Sequence, residues 1–265
     1  MTSAIAALRL LRLLLHAVSG YVTVKWRFEG LSQGQREQQV QAWAATMLDR
    51  LNVGLLRQGS PAQAGPVLLV SNHISWLDIL VLHAAGYCRF VSKADVKHWP
   101  LIGPMATGAG TLYIERESRR DAMRVVHHMA ESLARAEVIA AFPEGTTSDG
   151  VNMLPFHANL IQAAIAMQSP VQPLGLRFVD AESGEPSRAP CYINGETLFK
   201  SLWRTLTAPR LAAVVTFGPT QTAGERQRRA FAADLQAEVE RLRHAPIASS
   251  AVETRHAPAD SLLSE

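Results

Sequence analysis

The first 56 residues carry two stretches of helical periodicity. Residues 4–24 are apolar except for polar side chains that recur every three or four positions, a spacing that puts them on one stripe of a helix. Residues 36–56 show a second helical apolar face, and a glycine-containing loop separates the two stretches. The pattern therefore predicts an antiparallel helical hairpin. The polar stripe comprises Arg9, Arg12, His16, Ser19 and Thr23, and the second apolar face comprises Val40, Trp43, Ala44, Met47, Leu48 and Leu51.

Beyond residue 60, short apolar runs alternate with helical stretches. This alternation predicts an α/β fold with a mostly parallel or mixed sheet that is covered by helices. Strands are expected at Pro66–Val70, Arg89–Ser92, Thr111–Ile114, Val138–Phe142, Val171–Val179 and Leu211–Phe217. Helices are expected at Ile79–Ala85 and Gly224–Arg243. An amphipathic helix is expected between the strands Thr111–Ile114 and Val138–Phe142, with an inward face of Met123, Val126, Ala130 and Leu133.

These elements suggest three parts of the chain. Residues 1–59 would form an N-terminal, membrane-associated two-helix segment, and residues 60–244 would form the main domain. Residues 245–265 are rich in Ala, Ser and Pro and are expected to be a disordered tail.

The first helix is long and apolar enough to cross a membrane. An arginine at the bilayer centre costs about 2.5–3.5 kcal/mol, however, and a spanning helix would carry Arg9 and Arg12. A helix that lies in the membrane interface, with leucines toward the lipid and arginines toward the headgroups, avoids that cost. The sequence therefore favours an interfacial helix, with a spanning helix and a buried core helix as alternatives. Because no small-residue cleavage pattern follows the apolar run, a removed signal peptide is not expected.

Composition narrows the class of protein. Hydrophobic residues make up 48% of the chain and charged residues 18%, which excludes wholesale disorder. A net charge of +3 is too small for a dedicated nucleic-acid binder but suits contact with an anionic membrane surface. The two cysteines, Cys88 and Cys191, provide neither a disulfide framework nor zinc-ligand spacing. We therefore expect a reducing, cytosolic-side compartment and no structural metal.

A first polar cluster, Asn72 to Asp78, directly follows a predicted strand. Such a position lies at the carboxyl edge of an α/β sheet, where these proteins build their sites. His73 and Asp78 are five residues apart, so they meet only if His73 lies on the loop and Asp78 in the first helical turn. The carboxylate would then hold Nδ1–H and leave Nε2 to accept a proton from a hydroxyl. Alternatively, Ser75 and Asp78 form a capping box and His73 is a structural histidine.

A second polar cluster, Phe142 to Gly150, follows the apolar run VIAAF. The strand must turn sharply there, and Gly145 allows backbone to approach a ligand closely. Glu144 supplies an acceptor and the following Thr and Ser residues supply hydroxyls at the same edge of the sheet. Considered alone, this segment is also compatible with an ordinary Ser/Thr-rich loop.

Together the two clusters resemble the glycerolipid acyltransferase family, which includes lysophosphatidate (1-acylglycerol-3-phosphate) acyltransferases. The resemblance covers residues 65–179 and has four blocks in the family's order. They are the His-x-x-x-x-Asp block of His73 to Asp78, the block Gly110 to Arg116, the Phe-Pro-Glu-Gly block Phe142 to Gly145, and Val171 to Leu174, a variant of the family's Val-Pro-Val block.

The resemblance implies roles for individual residues. His73 would deprotonate the acceptor hydroxyl, which attacks the acyl thioester directly, and Asp78 would orient His73. Arg116, with Lys93, would pair with the phosphate of the acceptor, because a guanidinium group matches phosphate oxygens. The remaining substrate-binding residues would be Asn72, Glu144, Gly145 and Thr146.

The resemblance also implies the partners and the location. The substrates would be a lysolipid acceptor and a thioester of CoA or acyl-carrier protein, without a metal, a bound cofactor or nucleic acid. The protein would lie on the cytoplasmic face of a membrane, the inner membrane in a bacterium.

Two departures from the family pattern leave the acceptor open. Thr147 stands where the family often has an arginine, which puts recognition of a phosphate headgroup in question, and Glu115 stands where aspartate is commoner. A phosphate-free acceptor such as lyso-ornithine lipid is therefore the alternative to 1-acylglycerol-3-phosphate. A non-catalytic lipid-binding membrane protein is a weaker alternative, because the residues of the motifs are intact. A hydrolase is disfavoured, because the chain has no Gly-x-Ser-x-Gly elbow and neither cysteine adjoins a histidine.

Overall fold

The computed structural model of the chain describes residues 3–62, 64–114, 119–193, 195–248 and 252–253. The helices are α1 (Ser3–Trp26), α2 (Gln33–Arg50), α3 (Leu77–Ala85), α4 (Ile102–Gly108), α5 (Arg119–Ala134), α6 (Gln162–Ala166), α7 (Leu198–Thr207) and α8 (Arg228–Arg243). The strands are β1 (Val53–Gln58), β2 (Val67–Ser71), β3 (Arg89–Lys93), β4 (Leu112–Ile114), β5 (Val138–Ala141), β6 (Val171–Asp180), β7 (Leu211–Phe217) and β8 (Val252–Glu253).

The eight strands form one mixed sheet in the order β4-β3-β5-β2-β6-β7-β1-β8. Strands β4, β3, β5, β2 and β6 run parallel to one another, whereas β7 is antiparallel to β6. Strand β1 runs parallel to β7 at the other side of the sheet. The predicted α/β class with a mostly parallel, mixed sheet is confirmed.

Helices cover both faces of this sheet because alternate side chains of each strand point to opposite faces. In β2, Val67 and Leu69 belong to the core under α2, α3 and α7, whereas Leu68 and Val70 belong to the core under α5, α6 and α8. All five residues of β2 are buried, as expected for a central parallel strand. Because β2 and β5 are parallel neighbours, the loops that follow them meet at one edge of the sheet.

Helices α1 and α2 form the predicted antiparallel hairpin. The ring of His16 stacks on Trp43 with centroids 5.3 Å apart, and His16 Nε2 lies 3.0 Å from the Trp43 carbonyl oxygen. Further along, Arg50 donates a 2.9 Å hydrogen bond to the carbonyl of Arg12. A Cβ built on Gly20 would lie 2.4 Å from Trp43 Nε1, so the helices approach closely because position 20 has no side chain.

The orientation predicted for the polar stripe of α1 is only partly correct. His16 is buried, and Arg9 is half-buried and donates to the carbonyl of Leu206, so these two face the domain rather than lipid headgroups. Arg12 and Ser19 are exposed. The most exposed face of α1 is apolar, because hydrogen bonds to α2 and α7 hold His16 and Arg9 on the inward side. This apolar face, defined here as Ile5, Leu8, Leu11, Leu14, Leu15, Val18, Val22 and Trp26, has exposed fractions between 45% and 78%.

The helix predicted over residues 36–56 is wrong beyond Arg50. Asn52 has a left-handed φ of +62°, which ends the helix, and residues Val53–Gln58 form β1 instead. Val53 and Leu55 are buried, an alternation that suits a strand. The sheet therefore begins before residue 59, inside the segment that was predicted to contain two helices.

The prediction of a disordered tail is wrong for residues 252–253. Val252–Glu253 pair antiparallel with Arg57 and Leu56 of β1. Residues 249–251 and 254–265 lie outside the described residues.

The inward face predicted for the amphipathic helix α5 is shifted. Met123 is 75% exposed, and the buried apolar side chains in the described part of this helix are Val125, Met129 and Leu133. Val126 and Ala130 lie at the edge of this buried face. The spacing of the apolar residues along α5 is compatible with either face. Packing against the core selects the face that places Met129 at its centre.

A close contact between α8 and the sheet yields a stability prediction. A Cβ added at Gly175 in β6 would lie 2.2 Å from the backbone nitrogen of Arg243, so α8 would have to move. We predict that Gly175→Ala lowers the free energy of unfolding by about 1–3 kcal/mol. Urea denaturation of the detergent-purified protein would measure this change.

The matched control is Gly34→Ala, because Gly34 lies within α2 with open space around it. This substitution should leave stability unchanged or raise it by up to about 1 kcal/mol, since alanine favours a helix over glycine. An equal loss of stability in both variants would contradict the proposed contact.

Candidate active site

The loop between β2 and α3 brings His73 and Asp78 together as predicted. His73 lies on the loop, Asp78 lies in the first turn of α3, and His73 Nδ1 is 2.8 Å from Asp78 Oδ2. The Asp78 side chain is fully buried, whereas 18% of the His73 side chain is exposed. The carboxylate is thus positioned to hold the Nδ1–H tautomer, with the other ring nitrogen able to accept a proton.

The same Asp78 oxygen also fixes the backbone of the loop. Oδ2 accepts hydrogen bonds from the amides of Ile74 at 2.6 Å and Ser75 at 2.9 Å. The structural alternative for Asp78 is therefore correct in part, since Asp78 stabilises the start of α3 while it orients His73. The two functions are compatible because one carboxylate oxygen accepts all three hydrogen bonds.

Glu144, on the loop after β5, holds His73 from the opposite side. Its side chain is buried, Oε1 accepts the amide of His73 at 2.6 Å, and Oε2 accepts the amide of Leu154 at 2.7 Å. Burial raises the pKa of Glu144, although these two amides act in the opposite direction. The Phe-Pro-Glu-Gly loop and the histidine loop are therefore joined by a buried carboxylate.

An aromatic wall supports the histidine ring. His73 stacks on Phe142 with centroids 4.0 Å apart and an interplanar angle of 9°. Phe142 stacks in turn on Phe90, and the ring of His83 makes a T-shaped contact with Phe90, with centroids 4.9 Å apart. Stacking and the Asp78 contact together limit the rotation of the His73 ring.

Asn72 joins the loop after β2 to β6. Its side chain is buried, Nδ2 donates to the Leu176 carbonyl at 2.9 Å, and Oδ1 accepts the Leu176 amide at 2.8 Å. Both ends of the amide thus extend the pairing between the end of β2 and β6. These contacts make Asn72 a structural brace, and its predicted contact with the substrate stays a prediction.

The other predicted substrate-binding residues differ in accessibility. Lys93 is exposed at the carboxyl end of β3, and Thr146 is exposed on the loop after Glu144. Gly145 has a φ of +74°, which gives that loop its sharp turn at a position that favours glycine. Arg116 lies outside the described residues, as does Glu115.

Several residues that hold the loops together were not identified from the sequence. The carbonyl of His73 accepts the amide of Ser148 at 2.7 Å and its hydroxyl at 3.0 Å. Thr147 donates its hydroxyl to the carbonyl of Tyr192, and the amide of Tyr192 donates to the carbonyl of Ile74 at 3.1 Å. Ser148 belongs to a recognised cluster of hydroxyls, but no local pattern indicates that the chain near residue 192 packs here.

In the described part of the chain, the site has a histidine that is placed to accept a proton and no activated nucleophile beside it. The hydroxyl of Ser75 donates to the Pro190 carbonyl at 2.5 Å, and that of Ser148 is bonded to His73. Burial raises the pKa of Cys191 to about 11, so this thiol stays protonated at neutral pH. The described residues contain no group of three or more His, Cys, Asp or Glu side chains that could hold a metal ion. The arrangement is suited to removing a proton from a substrate hydroxyl.

Comparisons with known proteins agree with this geometry. The family model described as Acyltransferase matches residues 52–177. A 1-acyl-sn-glycerol-3-phosphate acyltransferase of Neisseria gonorrhoeae is 37% identical over 196 residues, covering 73% of this chain and 76% of the relative. A lyso-ornithine lipid O-acyltransferase of Pseudomonas aeruginosa is 34% identical over 196 residues, covering 73% and 74%. The structure also resembles the solved 1-acyl-sn-glycerophosphate (LPA) acyltransferase PlsC from Thermotoga maritima, with a TM-score of 0.62 and 16% sequence identity. The match covers 88% of this chain and 95% of that chain, which shows a shared fold.

The buried His83 behind the aromatic wall predicts a dependence of stability on pH. Burial lowers its pKa from 6.5 to about 4, and its Nδ1 has no hydrogen-bond partner in the described part of the chain. The unfolded chain binds this proton below pH 6.5, whereas the folded chain resists it until about pH 4. The stability that depends on a neutral, buried His83 is thus complete above pH 6.5 and is lost as the pH falls toward 4.

We predict that the free energy of unfolding of the wild-type protein falls by about 2 kcal/mol more than that of the His83→Phe variant when the pH is lowered from 7.5 to 5. Urea denaturation at the two pH values measures the difference. His128→Gln, at an exposed position on α5, is the control and should keep the wild-type dependence. Equal slopes for wild type and His83→Phe would show that His83 does not cause the effect.

Proposed function

This chain belongs to the glycerolipid acyltransferase family, and we propose that it transfers a fatty acyl group from acyl-CoA or acyl-carrier protein to 1-acylglycerol-3-phosphate. The product would be phosphatidic acid, an intermediate of phospholipid biosynthesis. The observation that carries the proposal is the 2.8 Å contact between His73 Nδ1 and the buried Asp78, which leaves Nε2 as a base beside a loop without an evident nucleophile.

The proposed mechanism is a direct transfer. His73 Nε2 accepts the proton of the acceptor hydroxyl while the hydroxyl oxygen forms a bond to the thioester carbonyl carbon. The tetrahedral intermediate collapses with cleavage of the carbon–sulfur bond, and the proton passes from His73 to the departing thiolate. Asp78 stabilises the transient imidazolium by charge and by its hydrogen bond to Nδ1. No metal or bound cofactor takes part in this sequence of steps.

The two loops supply the rigidity that this mechanism requires. Glu144 accepts the amide of His73, so the base is positioned through its backbone as well as through its ring. A positioned base avoids reorganisation when the acceptor binds. Substrate contacts by Lys93, Arg116, Gly145 and Thr146 are part of the proposal, with Arg116 and Lys93 assigned to the acceptor phosphate.

The alternative acceptor is lyso-ornithine lipid. The relatives include both 1-acyl-sn-glycerol-3-phosphate acyltransferases and lyso-ornithine lipid O-acyltransferases at similar identity. The hydroxyl of Thr147 donates to the backbone of Tyr192, which supports a structural function at that position rather than one in headgroup binding. Parallel assays with the two acceptors distinguish the alternatives.

We predict that His73→Ala lowers kcat by about 10²–10⁴-fold, because it removes the general base. Asp78→Asn should lower kcat by at least about tenfold with little change in the KM for acyl-CoA, since it retains the shape but loses the charge. Release of free thiol from acyl-CoA, measured with detergent-purified protein and each acceptor, reports the rate. His128→Ala is the control for loss of a histidine and should retain wild-type activity.

Wild-type kcat in His73→Ala would refute the assignment of the base. Transfer to lyso-ornithine lipid alone would replace the proposed acceptor while leaving the mechanism intact. An absence of transfer to either lipid by the wild-type enzyme would overturn the proposed function.

We further propose that the protein binds the cytoplasmic face of a membrane through α1. In the described part of the chain, α1 is the helix long and apolar enough to cross a membrane. Its half-buried Arg9 bonds to α7, and its exposed apolar face points away from the domain. A helix with one side packed on the protein and the other apolar fits the interface better than a full span.

We predict that the double substitution Leu11→Ser and Leu15→Ser lowers the partition coefficient onto anionic phospholipid vesicles by at least about tenfold. The two side chains are 53% and 60% exposed, so the fold should be retained. Co-sedimentation with vesicles measures the binding. The matched control is Met123→Ser, an apolar side chain that is 75% exposed on the opposite face of the sheet. Equal vesicle binding by the double variant and the wild type would exclude α1 as the anchor.

A further inference from the structure

Arg243, at the end of α8, is a buried charged side chain that the proposed mechanism does not use. It is 4% exposed, and it lies outside residues 52–177, the part of the chain that the family model matches. Arginine is almost never fully buried in a protein unless its donors are paired. The groups that accept hydrogen bonds from its guanidinium therefore indicate what this residue does.

Two of the acceptors of Arg243 belong to the loop that follows β5. Nη1 donates to the carbonyl of Gly150 at 3.2 Å, and Nη2 donates to the carbonyl of Val151. The guanidinium also donates to both carboxylate oxygens of Glu240, three residues earlier on α8. Arg243 thus joins the end of α8 to a loop that lies 92 and 93 residues earlier in the chain.

The sheet fixes the backbone of Arg243. Its carbonyl accepts a hydrogen bond from Arg177, and its amide nitrogen would lie 2.2 Å from a Cβ added at Gly175. Both contacts are with β6, the strand that pairs with β2. The side chain of Arg243 therefore connects the loop to a rigid part of the fold.

The residues that Arg243 contacts lie between two attachment points of His73. On one side, Ser148 donates its amide and its hydroxyl to the carbonyl of His73. On the other side, the amide of Leu154 donates to Glu144 Oε2, and Glu144 Oε1 accepts the amide of His73. A shift of this loop would therefore reach the backbone of His73 by two routes.

Gly150 also lies next to the loop that carries His73. Its φ is +76°, in the left-handed region that favours glycine, and a Cβ added there would be 3.4 Å from Cγ2 of Ile74. Ile74 is buried and directly follows His73 in the chain. One carbonyl that accepts from Arg243 thus belongs to a residue packed beside the histidine loop.

A second residue of α8 holds the far end of the same loop. Gln236 Oε1 accepts the amide of Phe156 at 3.0 Å. Arg243 and Gln236 therefore fix the loop on both sides of Leu154, the residue whose amide donates to Glu144.

We propose that Arg243 is a positioning residue for His73, and that it acts through residues 148–154 and the carboxylate of Glu144. The inference rests on the proposed function and adds to the support of the base a residue from outside the four sequence blocks. Because its side chain is buried, Arg243 acts on the loops and not on the substrates. A displacement of about 1 Å in an active site can lower the rate about 10²-fold, so the loss of such an attachment affects kcat.

The test is Arg243→Met, which keeps the length of the side chain and removes its donors. We expect kcat to fall about tenfold, with the KM values for acyl-CoA and for the acceptor within about twofold of wild type. The loss is smaller than the full effect of a displaced base, because Gln236 still holds the loop. Release of free thiol from acyl-CoA by detergent-purified protein measures the rates.

Arg241→Met is the matched control. Arg241 is 64% exposed on the same helix and donates to both carboxylate oxygens of Glu238, three residues earlier, as Arg243 does to Glu240. This control removes an arginine and an ion pair from α8 without removing a contact with the loop. It should keep the wild-type kcat and both wild-type KM values.

A comparison of single and double variants tests the route through Glu144. We expect Glu144→Gln to lower kcat, and Arg243→Met to lower it by less than about threefold further when Glu144 is already replaced. Independent effects would multiply instead. A further loss of about tenfold in the double variant would therefore overturn the route through Glu144.

Amide hydrogen exchange tests the positioning without any substrate. In Arg243→Met, exchange should become at least about fivefold faster in residues 72–76 and 142–157 and keep its wild-type rate in residues 228–240 of α8. An equal acceleration in α8 would show that the substitution loosens the helix itself, and it would overturn the positioning role.

Arg243→Lys is the second variant, and it decides the question if Arg243→Met does not fold. A lysine keeps the charge but cannot reproduce the planar fork of donors, so kcat should fall about threefold and exchange should rise in the same two segments. Wild-type kcat and wild-type exchange in Arg243→Lys would then overturn the inference.

The remaining outcomes separate this inference from the proposed function. Wild-type kcat in folded Arg243→Met, or an equal loss of kcat in Arg241→Met, would overturn the positioning role alone. Wild-type enzyme that acylates neither lipid would overturn the proposed function. The exchange rates would in that case still show whether Arg243 holds the loop of His73.

Discussion

The buried carboxylate of Asp78 is the interaction on which the organisation of this site depends. One of its oxygens accepts hydrogen bonds from His73 Nδ1 and from the amides of Ile74 and Ser75. A buried carboxylate is costly unless several donors satisfy it. Here the donors, the His73 ring and the backbone that carries it, all bond to Oδ2, whereas Oδ1 has no hydrogen-bond partner in the described part of the chain. The orientation of the His73 ring and the local stability of the loop therefore depend on the same carboxylate oxygen. A change that loosens the loop also displaces the ring.

The second constraint is the adjacency of β2 and β5 in the parallel sheet. It brings Glu144 under the backbone of His73 and Phe142 against its ring, so two distant segments hold one residue from three directions. Burial raises the pKa of Glu144 while the amides that it accepts favour its charged form. In the proposed mechanism, a histidine that is held in this way reduces reorganisation during acyl transfer.

The packing of α1 gives this helix two different sides. Its apolar face is exposed, whereas Arg9 on the inward side donates to the carbonyl of Leu206 on α7. On the same inward side, His16 stacks on Trp43 of α2 and lies 3.0 Å from the Trp43 carbonyl oxygen. The contacts with α2 and α7 therefore decide which side of α1 is left for an apolar partner.

Local patterns in the sequence determined the α/β class, most of the strands, the helical hairpin and the His73–Asp78 pair, because periodicity and a five-residue motif depend on neighbouring residues. Tertiary structure decided what depends on distant partners. Residues 53–58 form a strand because β7 offers an edge, Met123 turns outward because the core is centred on Met129, and Asn72 braces β6 because the end of β2 lies beside Leu176. The contact between the loop that carries His73 and the chain near residue 192 likewise depends on long-range packing that no short motif encodes.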